Sequence, residues 1–208
     1  MIMLGILSIF AVIFVIPFVQ EWPYQVSFSL EHVKSVISDP DLLGVYTNSL
    51  FVAVMTAIIG VFISYGAALV TARSTLNAKL KSVVEAIALV INTIPGMVLG
   101  IAFMLTFTGT NLQSTFIILI ICDVVHYFST PYLMVKNSLS KMNASWETTA
   151  MLMGDSWIKT IIRVVTPNAM STIIEVFSYY FVNAMVTISA IIFLAGAHTM
   201  VITTKIKE

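Results

Sequence analysis

Asp123 and His126 stand three residues apart within a long apolar run, a spacing that puts a carboxyl and an imidazole on one face of a helix. Such a pair can exchange a proton, bridge two helices by hydrogen bonding, or line a polar path. If the run crosses a bilayer, a charge at its middle costs roughly 2.5–3.5 kcal/mol, so both groups must face protein or water. An intramembrane acid–base enzyme would want a second aspartate in a neighbouring apolar run, and none is present. The interhelical hydrogen bond is the plainer reading, with path lining close behind. Asn92 and Asn183 read as further interhelical donors. Glu175 reads as an exposed interfacial carboxylate, and Glu85 as a favourable charge near a helix start.

The remaining reactive side chains exclude whole classes of chemistry. The single Cys122 cannot form an internal disulfide, and no Cys/His cluster has metal-ligand spacing. His32 and His198 carry no spacing pattern. Of the twelve methionines, Met97, Met104, Met151 and Met153 suit helix packing better than a soft metal. No Gly-x4-Gly-Lys-Ser/Thr loop is present, so the chain has no phosphate cradle of that kind.

The elements that must position these residues follow from composition. The 208 residues are 59% hydrophobic and 10% charged, with a mean hydropathy of +1.00; soluble domains are about 25% charged. The apolar residues come in long runs without period-two alternation, which implies a helical bundle crossing a membrane rather than a barrel. Five spans are expected: about 1–19, 49–72, 83–107 broken at Pro95-Gly96, 115–135 with a late Pro131, and 170–194. Gly60, Gly66, Ala67 and Ala68 suit close helix packing. The polar stretch 20–46 is predicted to hold a turn at Asp39-Pro40-Asp41 and a short surface helix over 30–37. Net charge is zero, ten cations against ten acids, which gives no electrostatic footprint for nucleic acid. Sorted along the chain, Arg73, Lys79, Lys81, Lys136, Lys141, Lys159 and Arg163 fall on one side, against Lys34, Lys205 and Lys207. The excess places the 73–82 and 136–167 loops in the cytoplasm. The two tail lysines fit that topology only if a sixth span follows, so the chain is expected to be truncated at its C-terminus.

The second cytoplasmic loop holds Trp146 to Pro167, WETTAMLMGDSWIKTIIRVVTP. Gly154 separates two helical stretches, with Ser145 or Asp155 available as caps. A docking element and a helix lying on the membrane surface fit this pattern equally. The segment resembles the loop of binding-protein-dependent ABC transporter permeases, Glu-Ala-Ala, three residues, Gly, nine residues, Ile-x-Leu-Pro. Gly154 and Pro167 have the required spacing, with Val164 at the Ile position, Thr166 at the Leu position and Ala150 at the second Ala. Thr148 stands where that pattern has Glu, and Glu147 lies one residue early. Asn48-Ser49-Leu50, Ala72-Arg73 and Ile94-Pro95-Gly96-Met97-Val98-Leu99-Gly100 extend the resemblance over about 45–195. It is nearest the ferric iron, polyamine and 2-aminoethylphosphonate branch.

The resemblance implies an all-α, multi-pass permease domain over 1–208 in a bacterial cytoplasmic membrane, six-spanned when complete, that hydrolyses no ATP and binds no cofactor itself. It implies a coupling loop carrying Glu147, Thr148, Ala150, Gly154, Trp157 and Pro167. Trp157, Ile158 and Ile161 would then supply apolar contact. The implied partners are an ATP-hydrolysing subunit dimer, an external solute-binding protein and a second permease. A membrane docking or assembly protein is the alternative.

Overall fold

In the computed structural model, residues 2–196 and 199–205 are described; His198 and Lys207 lie outside them. The chain divides into two compact units, 1–47 and 48–208.

The first unit opens with α1 (Ile2–Val15) and a 3-10 turn over Ile16–Phe18. Strands β1 (Val19–Glu21) and β2 (Gln25–Phe28) then pair antiparallel. This hairpin is a departure from the all-α expectation: at three and four residues its strands are too short for alternation to register in the sequence. Helix α2 (Glu31–Ser38) forms where the surface helix was expected. At Asp39 the chain does not turn away. The Asp39 carboxylate accepts the N–H of Asp41 at 2.9 Å, capping α3 (Pro40–Arg73), with Pro40 in the first position where a missing N–H costs nothing.

The second unit continues α3 and adds α4 (Ala78–Ile91), α5 (Gly96–Phe107), α6 (Phe116–His126) and α7 (Ser129–Lys141). A short pair follows, α8 (Ser145–Leu152) and α9 (Trp157–Thr160), then a π-helical turn over Ile161–Val165, α10 (Thr166–Asn168), α11 (Met170–Val186) and α12 (Ile202–Lys205). One core gathers Tyr132, Leu139, Val165, Val176 and Tyr180, and a second gathers Val52, Leu99, Leu119, Cys122 and Ile191. Gly60 admits the Tyr180 ring, whose atoms would lie 2.6 Å from a Cβ there, whereas Gly66 faces open space.

Among the described residues α3 alone is long and apolar enough to cross a membrane as one rod. Three further candidates are bent pairs: α4–α5 by 106°, α6–α7 by 54°, and Trp157–Asn168 with α11 by 74°. The expected five spans thus become up to four, plus the shorter apolar α1. The fifth span also ends early, at Val186 rather than near 194. The prolines explain two of the bends. A proline cannot donate to the carbonyl four residues before it; for Pro95 that residue is Ile91, the last of α4, and for Pro131 it is Tyr127, which closes α6.

Candidate functional site

The glycine–proline loop folds as a helix, a tight reversal and a second helix. The Asn143 side chain accepts the Ser145 N–H at 2.9 Å, so Ser145 sits inside α8 rather than capping it. At the far end the Asp155 N–H reaches the Ala150 carbonyl at 2.9 Å and the Gly154 N–H reaches Met151 at 3.0 Å. These two bonds are a Schellman closure, which needs a left-handed residue, and Gly154 has φ 82°. Nothing lies within 4 Å of a Cβ placed there, so backbone conformation rather than space selects glycine. Ser156, not Asp155, caps α9; Asp155 pairs with Lys159.

The loop is fastened to the body by residues that the motif does not contain. Arg73, the last residue of α3, donates from Nε and Nη2 to the two Glu147 oxygens, both at 2.6 Å. It also donates to the Met142 and Asn143 carbonyls at 2.9 and 3.0 Å. The two side chains are 4% and 16% exposed. Three elements therefore meet on one guanidinium: the end of α3, the end of α7 and the first turn of α8. Lys136 meets Glu85 at 2.6 Å, joining α7 to α4. Glu85 lies in the middle of α4, which starts at Ala78, so its role is this pair and not a helix start. Neither pair carries a local sequence signal, because the partners lie 74 and 51 positions apart.

Thr148 is exposed and Ala150 half-buried. Met151, Leu152 and Met153 project at the reversal, 72%, 85% and 79% exposed, so the packing expected of Met151 and Met153 is absent. Trp157 and Ile158 are exposed, but Ile161 is buried in the first core and offers no contact area. Pro167 is exposed in α10, beside Thr166, whose hydroxyl meets that of Tyr65 at 2.7 Å.

Asp123 is wholly buried, and neither of its oxygens has a hydrogen-bond partner among the described residues. His126 Nδ1 is likewise unpartnered, so the two do not bond each other and the expected interhelical bond is not made. His126 stands against the α4–α5 break: a Cβ on Gly96 would lie 3.1 Å from its ring. Asn183 bonds within its own helix, to the Tyr179 carbonyl at 2.7 Å, rather than across helices. Glu175 is exposed, as expected. No group of three or more His, Cys, Asp or Glu suited to a metal occurs among the described residues.

Residues 60–207 match the profile of the binding-protein-dependent transport system inner membrane component family. The chain is 28% identical over 94% of its length to a putative ferric transport system permease protein of Haemophilus influenzae, covering 31% of that protein. It is 27% identical over 80% of its length to a ferric transport system permease protein of Actinobacillus pleuropneumoniae, covering 24%. It thus spans about a third and a quarter of these relatives. Similarity extends to an inner membrane ABC transporter permease protein of Escherichia coli, 27% identical over 79% of this chain and 57% of that one. In fold it matches a chain in the crystal structure of a bacterial ABC transporter involved in the import of the acidic polysaccharide alginate. The TM-score is 0.76 at 15% identity, covering 99% of this chain and 76% of that one.

Proposed function

Because the chain belongs to the binding-protein-dependent transport system inner membrane component family, we propose that it is the permease subunit of an ATP-driven importer in an inner membrane, docked through residues 145–160 on a separate ATP-hydrolysing subunit. The observation that carries this reading is the latched reversal. A helix turned at Gly154 presents three exposed apolar side chains outward, while Arg73 and Glu147 bind its base to α3 and α7. An apolar knob on a rigid base suits a partner groove, because the knob supplies burial and the base conveys displacement.

In this reading Glu147 acts from within the permease, its carboxylate held by Arg73. On the same reading α3, the bent pairs α4–α5 and α6–α7, and α11 cross the bilayer, with residues 73–82 and the loop from the end of α7 to Pro167 on the cytoplasmic side. Closure of an ATP-hydrolysing dimer pushes the knob, and helices latched to it move as a body to switch access. A solute-binding protein delivers cargo from outside, and a second permease completes the path.

Purification of the tagged full chain from bacterial membranes, with any co-purifying ATPase identified, tests the reading. The ATPase should co-purify with the full chain and be lost when residues 145–160 are deleted. Retention by the deletion variant would sink the coupling assignment.

A further inference from the structure

The α4–α5 and α6–α7 breaks open on one cavity of about 210 Å³. Asn92 and Ile94 line it from the first break, His126, Tyr127 and Thr130 from the second, and Tyr179 from α11. No Asp, Glu, Lys or Arg lines it; Asp123, one turn before His126, is buried outside the lining. Several neighbouring hydroxyls are already engaged. Tyr127 donates to Thr187 at 2.7 Å, since the Thr187 proton goes to the Asn183 carbonyl at 2.6 Å; Ser129 donates to the Ala88 carbonyl. Asn92 is exposed and Thr130 and Tyr179 are half-buried, so the Asn92 amide and the two hydroxyls are open to the cavity's contents. The Tyr127 and Tyr179 rings stand edge to face at 6.2 Å and 81°, giving the cavity an aromatic wall.

Broken backbone and polar groups at membrane depth persist where they line a cavity whose contents meet them. The lining states which contents. A fully charged solute would find no Asp, Glu, Lys or Arg on the lining to pair with. Amide and hydroxyl groups both donate and accept, which matches hydroxyl groups on a ligand. The aromatic wall suits the C–H face of a ring. A cavity of about 150 Å³ admits benzene, so this one, which is partly open, has room for a single six-membered ring with its substituents. We propose that the cavity is a transient site for an uncharged, hydroxyl-rich solute of one-ring size. This deepens the permease reading and rests on it.

The test is equilibrium binding to the full chain in lipid nanodiscs, with D-glucose, D-galactose and myo-inositol set against D-glucuronate, inorganic phosphate and ferric citrate. At least one uncharged probe should bind saturably at millimolar concentration, and the charged probes more weakly. Asn92→Ala should weaken binding about tenfold, the loss of one or two hydrogen bonds, with an unchanged melting temperature. Tighter binding of a charged probe, no saturable binding of any uncharged one, or unaltered binding by Asn92→Ala overturns the proposal. An ATPase that co-purifies while sugar binding fails removes the solute class alone. An ATPase indifferent to deletion of 145–160 removes the permease reading on separate grounds.

Discussion

Taking Arg73 away strands a carboxylate. Glu147, 16% exposed beside Arg73, would be left with no cation, and breaking a largely buried pair from one side costs up to about 3–5 kcal/mol. Arg73→Ala should therefore unfold at markedly lower temperature in detergent, whereas Arg73→Ala with Glu147→Ala should recover much of the loss. Equal melting temperatures for the single and double variants would show that the pair is not the fastening. Gly154 makes a different demand. An L side chain in its left-handed conformation costs roughly 1–2 kcal/mol, and asparagine less than alanine. Gly154→Ala should insert normally but transport less per ATP hydrolysed, and Gly154→Asn should fall between; uptake and hydrolysis measured together in vesicles decide it. The glycine was legible in the sequence because its requirement is local. The Arg73–Glu147 pair was not, because two charges 74 positions apart become partners only once α3 and α7 have packed.

At the scale of elements, the prolines were readable and the faces were not. Pro95 and Pro131 end their helices at or beside the residue four earlier, as the missing N–H requires. Pro131→Ala restores a donor for the Tyr127 carbonyl, so the 54° bend should relax; spin labels at positions 117 and 140 should then move apart, and an unchanged distance would place the cause of the bend in packing. The π-helical turn Ile161–Val165 shifts the faces that follow it. One residue more per turn rotates every later side chain, so a face extrapolated at 3.6 residues per turn lands on the wrong side. The Asp39 cap was likewise read as a turn, because Asp-Pro-Asp begins both structures with the same residues.

For the whole molecule, composition gave the class and left the number of crossings open, since bent pairs of 11–14 residues have the same hydropathy as straight spans. The exposed knob makes a prediction at this scale. Leu152→Asp should leave membrane insertion intact and abolish ATPase association, as a charge cannot be buried in an apolar groove without a partner; persistent association would locate docking elsewhere. One consequence concerns α3. Its Asn48 and Ser49 are bonded to Met200 and Ile202 at 3.1 and 2.7 Å, and its other end is Arg73. From Ser49 to Arg73 a helix rises about 36 Å, more than the roughly 30 Å of a bilayer's hydrocarbon. In the proposed permease, a rod tied at each end to a different part of the chain would act as a lever: a tilt of a few degrees imposed at the Arg73 end carries the Ser49 end and its attachments by a few ångströms, with no change in the helix itself.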